Sequence, residues 1–136
     1  IKKKVLDLLK MVELSPPEMF FDRHPHELSG GQQQRVAIAR AISTSPKLII
    51  TDEAVASLDM SIRAEILKLL KKINFETNVT MIMISHDLSI LKNMCKRIAI
   101  MYLGEIVEIG NKNEIFNNPK HDYTKKLISA TLEIPS

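Results

Sequence analysis

Leu28-Ser29-Gly30-Gly31-Gln32-Gln33-Gln34-Arg35 runs without a break into Val36-Ala37-Ile38-Ala39-Arg40-Ala41-Ile42, and Leu48-Ile49-Ile50-Thr51-Asp52-Glu53 follows shortly after. Ser29 is a residue type that caps helices, and the two glycines let backbone approach backbone closely. The pattern predicts a helix over about 32–43, apolar on most faces and therefore largely buried. Residues 48–51 form a short continuous apolar run, as expected of a strand covered on both faces, with Asp52 and Glu53 at its end. The positive end of a helix can receive an anion, and the ends of buried strands are where open α/β sheets gather ligand chemistry. Phosphate is the natural ligand for such a pair of features.

Outward from this segment, residues 79–84 repeat the buried-strand pattern. Between the two runs Ile62, Ile66, Leu69, Leu70 and Ile73 recur at helical spacing, which supplies the crossover that parallel strands need. The expected core is thus a parallel βαβ unit. On the N-terminal side Ile1, Val5, Leu8, Leu9 and Val12 predict an amphipathic helix stopped near Ser15-Pro16-Pro17, with a loop over 20–27. On the C-terminal side, residues 98–102 and 105–109 flank Leu103-Gly104 as a hairpin. A polar stretch from Asn111 leads to a last helix over about 123–132. The expected division is 1–46 for the end of a helical subdomain, 47–110 for the core and 111–136 for an appended extension.

The 136 residues set one domain as the upper limit, and 45% hydrophobic with 26% charged residues is ordinary for a globular chain. The net charge of +3 comes from scattered lysines rather than a basic block interleaved with aromatics, so nucleic acid is not an expected partner. No apolar run approaches the ~18 residues a membrane span requires. Cys95 is the one cysteine, which rules out an internal disulfide and fits a reducing, cytoplasmic setting. The chain opens on Ile1 already inside a helical pattern, so it is expected to begin within a larger protein. His24, His26 and His121 lack the further spacing of a convincing metal site.

The string Leu-Ser-Gly-Gly-Gln-x-Gln-Arg-Val-Ala-Ile-Ala-Arg-Ala resembles the signature motif of ABC-type ATPases, and 48–53 resembles their Walker B strand. The fold this implies is α/β: part of a P-loop, ABC-type nucleotide-binding domain with a parallel βαβ core, a signature helical segment and a C-terminal hairpin and helix. The resemblance further implies that Ser29, Gly30, Gly31 and Gln32 contact the γ-phosphate of ATP held by a second ATP-binding subunit in a head-to-tail dimer. It assigns Asp52 to Mg²⁺, Glu53 to the attacking water and His86, in Ser85-His86-Asp87-Leu88, to the switch histidine. Ser57-Leu58-Asp59 falls where the family has its D-loop, although Ala56-Ser57 reverses the usual order. Arg23-His24-Pro25-His26-Glu27, Asp-Glu-Ala-Val at 52–55, residues 101–110 and His121-Asp122-Tyr123-Thr124-Lys125 resemble peptide-importer ATPases, serving oligopeptides, dipeptides or nickel. The implied partners are transmembrane permease subunits and, indirectly, an extracytoplasmic peptide-binding protein, at the cytoplasmic face of the membrane.

A phosphate-cradling Gly-x-x-x-x-Gly-Lys-[Ser/Thr] loop does not occur in these 136 residues, whose glycines are Gly30, Gly31, Gly104 and Gly110. The adenine-stacking aromatic and the glutamine loop of the family are also unmatched. The chain alone is therefore expected not to hydrolyse ATP and to be marginal or oligomeric. An alternative is a non-enzymatic module that lends its signature face to another ATPase subunit. An ATPase head of the DNA-repair branch shares the signature but lacks a matching coiled coil or zinc module here.

Overall fold

The computed structural model describes residues 1–132, and residues 133–136 of the expected extension lie outside the described part. The chain divides after Ile84 into two compact units. Helices and a parallel strand pair make up the first unit; the second is built around an antiparallel hairpin.

In the first unit α1 (Lys2–Met11) ends before the prolines, with Val12 and Leu14 buried immediately beyond it. The stretch expected to be a loop instead holds α2 (Glu18–Phe21) and a 3₁₀ turn, Pro25–Glu27, in which the Glu27 carboxylate accepts the His24 amide at 2.7 Å. Short helices of this kind have too few turns to show a period in sequence. Helix α3 (Gly30–Ile42) starts two residues earlier than expected, because Ser29 and Gln32 form a reciprocal capping box that brings both glycines into the first turn.

Strands β1 (Leu48–Asp52) and β2 (Thr80–Ile84) pair in parallel, Ile50 opposite Ile82, with the 18-residue helix α4 (Met60–Thr77) as their crossover. Ile66, Leu69, Leu70 and Ile73 on α4 are at most 2% exposed and form the centre of the unit's core, as their spacing predicted. Asn78, in the left-handed conformation, ends α4, and the Asn74 amide donates to the Val79 carbonyl at 2.6 Å to turn the chain into β2.

Two burial expectations are corrected. Helix α3 buries Gly31, Ile38, Ala39 and Ile42, while Val36, Ala37 and Ala41 are exposed; it is half-buried rather than largely buried. The strands are covered on one face only: Leu48, Ile50, Ile82 and Ile84 are 47–59% exposed, whereas Thr51 on the opposite face is buried. A continuous apolar run meets this pattern when one face packs within the chain and the other finds nothing in it.

In the second unit α5 (Leu88–Met94) precedes the hairpin of β3 (Arg97–Tyr102) and β4 (Glu105–Asn111). Leu103 and Gly104 both have positive φ, +48° and +81°, as a two-residue primed turn requires. The register slips at Ile100/Met101, leaving Val107 as the extra residue of a bulge. The expected polar connection holds a further helix, α6 (Lys112–Asn117), started by a second capping box between Asn111 and Glu114. The last helix, α7 (Asp122–Leu132), lies where predicted. Leu88, Ile90, Leu91, Ile98, Ile100, Ile115 and Ile128 are buried apolar side chains of this unit.

Candidate functional site

The first amides of α3 have no partner of their own within the helix, so the N-terminus presents donors and positive potential together. Ser29 Oγ accepts the Gln32 amide at 3.2 Å and Gln32 Oε1 accepts the Ser29 amide at 3.1 Å. This box uses the acceptor side of the Ser29 hydroxyl, so its O–H remains the donor suited to an anion. Gly30 is exposed beside it, and Gly31 is buried.

Gly31 has a packing reason that sequence alone did not reveal. A Cβ there would stand 2.6 Å from Cγ2 of Ile62 in the first turn of α4, and one on Gly30 would stand 3.4 Å from Cδ2 of Leu58. Neither glycine has positive φ. Their role in the backbone is close approach: α3 lies against α4 because residue 31 has no side chain. Asp59 caps α4, its Oδ1 accepting the Ile62 amide at 3.0 Å. Two capped helix N-termini, at Ser29 and at Asp59, thus sit side by side.

Asp52 ends β1 with its side chain exposed. Glu53 then adopts φ +49°, a left-handed turn, while its amide donates to the Ile84 carbonyl at 3.0 Å and so stays tied to the end of β2. The chain therefore swings off the carboxyl end of the sheet at Glu53, the second of two successive acids. Two tight turns follow, Ala56 N–H to Glu53 O and Leu58 N–H to Val55 O, both at 3.2 Å, with Val55 buried as the anchor of the loop. They deliver the chain to Asp59.

In the second unit His86 is exposed between Ser85, whose Oγ accepts the Asp87 amide at 3.0 Å, and Asp87, whose Oδ1 accepts the amide of Ser89 at 2.9 Å and so caps α5. The imidazole is thus carried on a short, hydrogen-bonded turn. The rings of His24 and His26 stack 5.6 Å apart. Among the described residues no group of three or more His, Cys, Asp or Glu is spaced to hold a metal by itself. A Mg²⁺ ion needs fewer protein ligands, because it keeps waters and takes phosphate oxygens beside one or two carboxylates. Asp52, an exposed carboxylate at a strand end, fits that requirement.

Three side chains matter to this architecture that were not singled out from sequence. Arg35 donates to the Val12 carbonyl at 3.0 Å, to Glu13 Oε2 at 3.0 Å and to Glu65 Oε2 at 3.1 Å. Gln33 donates to the carbonyls of Pro25, at 2.8 Å, and Leu28, at 3.2 Å, fastening the 3₁₀ turn to α3. Glu108 accepts the amides of Lys120, at 3.0 Å, and His121, at 2.7 Å, where the chain enters α7. For Arg35 the available signal was its spacing, one turn after Gly31 on the same side of the helix. The hydrogen bond from Arg35, aided by its charge and that of Lys72 at 3.5 Å, holds the Glu13 carboxyl below the usual carboxylate range against the upward pull of partial burial. Partial loss of water pulls Glu108 upward too, but the amides of His121 and Lys120 outweigh it and leave its carboxyl low.

A family model described as "ABC transporter" matches residues 1–56, and one described as "Oligopeptide/dipeptide transporter, C-terminal region" matches residues 107–136. The chain is 46% identical over 128 residues to the oligopeptide transport ATP-binding protein AppF of Bacillus subtilis (strain 168), covering 94% of this chain and 38% of that protein. It is 47% identical over 127 residues to the glutathione import ATP-binding protein GsiA of Escherichia coli (strain K12), covering 93% of this chain and 20% of that protein. Among solved structures, the ADP conformation of MJ1267, an ATP-binding cassette of an ABC transporter, superimposes with a TM-score of 0.76 at 26% identity, over 97% of this chain and 50% of that one. The dimeric cassette MJ0796 gives a TM-score of 0.67 at 39% identity, over 81% of this chain and 46% of that one. The chain thus spans well under half the length of these curated relatives.

Proposed function

We propose that this chain is part of an ATP-binding protein of an ABC transporter and supplies the signature, Mg²⁺-binding and water-activating parts of a subunit whose ATP hydrolysis powers peptide import. The observation that carries the reading is the left-handed step at Glu53. It takes the chain off the carboxyl end of the β1–β2 pair at the second of two adjacent acids, and a strand end that carries two carboxylates can offer one to a Mg²⁺ ion and one to a water.

In this reading Asp52 holds the hydration shell of Mg²⁺, and the ion's charge offsets that of the phosphates when it is bound. Glu53 orients the attacking water and takes its proton. His86 hydrogen-bonds the γ-phosphate and orients rather than deprotonates. Ser29, the Gly30 and Gly31 amides and Gln32 receive the γ-phosphate of a nucleotide bound by a second ATP-binding subunit, with Asp59 at the same interface. The head-to-tail dimer is supported by likeness to a dimeric cassette, and peptide as the cargo by the match over 107–136 and the importer names of the relatives. Residues 1–46, 47–110 and 111–136 then act as signature segment, ATPase core and importer-type extension. No helix among the described residues is long and apolar enough to cross a membrane. Attachment at the cytoplasmic face through permease subunits is part of the proposal, with a peptide-binding protein acting on the far side.

General-base catalysis is worth ~10²–10⁴-fold, so in the full-length subunit Glu53→Gln is expected to lower turnover by that factor while ATP binding persists. Hydrolysis near the wild-type rate would defeat the assignment. The 136-residue chain by itself is expected to show no magnesium-dependent hydrolysis; measurable turnover by the pure chain would overturn that.

A further inference from the structure

We infer that Arg35 is a positioning residue that locks the signature helix α3 to α4, so that the Ser29 and Asp59 caps are presented as one rigid body. The inference rests on the function proposed above. The two helices touch twice in succession: at residue 31, where the absent side chain admits Ile62, and one turn later, where Arg35 reaches Glu65 at 3.1 Å. Contacts that advance in step, 31 with 62 and 35 with 65, mean that the helices run in the same direction at this crossing. Their positive N-terminal ends then lie together and repel. The close fit at Gly31 sets the distance between the helices but leaves rotation and sliding open, because dispersion contacts are non-directional.

Arg35 removes that freedom. Its guanidinium is planar and offers donors in a fixed fork. One nitrogen is shared between the Val12 carbonyl and Glu13, both just past the end of α1, and another is given to Glu65 on α4. The Arg35 side chain is only 12% exposed, while the Glu13 and Glu65 side chains it holds are 47% and 58% exposed, so the fork is fixed from the protein side. Three helices therefore meet on one side chain that belongs to the signature stretch itself. A lysine has the charge but not the fork: its donors radiate from one nitrogen, whereas the guanidinium reaches its acceptors from two.

The test uses the full-length ATP-binding subunit assembled with its partners, with kcat and KM for ATP measured per folded molecule well below the melting temperature. Arg35→Gln is expected to lower kcat at least tenfold with KM changed less than threefold, because the displaced caps act on the phosphate and not on retention of the nucleotide. Arg35→Lys is expected to fall between it and the wild type. Glu65→Gln is expected to cost less, and the double variant Arg35→Gln/Glu65→Gln no more than Arg35→Gln alone, since both act through one contact. A lowered melting temperature with kcat within twofold of wild type would overturn the inference, as would additive losses in the double variant. Should Arg35→Gln fail to fold, the Arg35→Lys and Glu65→Gln pair carries the same cycle. Glu53→Gln in parallel separates the two proposals: if it stays active the proposed function fails, and if it alone collapses only the role of Arg35 does.

Discussion

Each unit of the chain is fastened by a glutamate with a lowered pKa, yet the two are held by different chemistry. In the first unit Glu13 takes a guanidinium, charge meeting charge across helices α1, α3 and α4. In the second, Glu108 takes mainly neutral backbone amides, at Lys120 and His121, with smaller help from the Thr124 side chain and the Lys120 charge. A side-chain donor can be lost by most substitutions and its attraction screened by salt; a backbone donor is lost only to proline and carries no net charge to screen. The link at the signature helix is therefore the one open to change, and the link that fixes the extension is built to persist.

The largest expected effect falls on the first fastening. Gly31→Ala puts a methyl 2.6 Å from Ile62, an overpacking that should destabilise the full-length subunit by ~1–3 kcal/mol and force α3 and α4 apart. Amide hydrogen exchange should show faster opening at α3 and α4; unchanged protection would mean that Ile62 simply yields. A smaller loss is expected from Glu108→Ala, because water replaces the carboxylate at exposed amides: about 1 kcal/mol, confined in hydrogen exchange to the start of α7. Opening that spread to the signature helix would erase the contrast between the units.

The smallest effects are in solution conditions. Both folded-state carboxyls lie below their ordinary value, so both contribute stability at pH above the unfolded-state range and lose it as the pH falls through the folded values. Acid should thus weaken both fastenings. About 1 M salt should weaken mainly the one at Arg35, by a few tenths of a kcal/mol. Equal salt sensitivity in the two units, read by protection of α3 against that of α7, would show that the Arg35 pairs contribute little.

The long periodic elements were legible in sequence for a plain reason: α4 buries a stripe of four large apolar residues, and the hairpin carries its own turn at Leu103-Gly104. The candidate site residues were legible as types in order, namely Ser29 before two glycines and two acids ending a strand. Burial was not legible. Leu48, Ile50, Ile82 and Ile84 read as an interior run, and their bare face is a property of what surrounds the sheet, which local pattern does not contain. Helices α2 and α6 were too short to show a period. Arg35 was hidden for another reason: its partners are 22 and 30 residues away along the chain, and nothing in a helical charge pattern announces them.

The left-handed backbone at Glu53 sets stability and chemistry against each other at a single position. A non-glycine residue held at φ +49° costs on the order of 1 kcal/mol that glycine would not incur, and asparagine tolerates the region better than glutamate does. A substitution that favoured the fold alone would replace glutamate here, and the chain would keep its shape while losing the acid proposed to activate water. A glutamate at such a turn gives up that stability, and the proposed water-activating role is what it would gain in return.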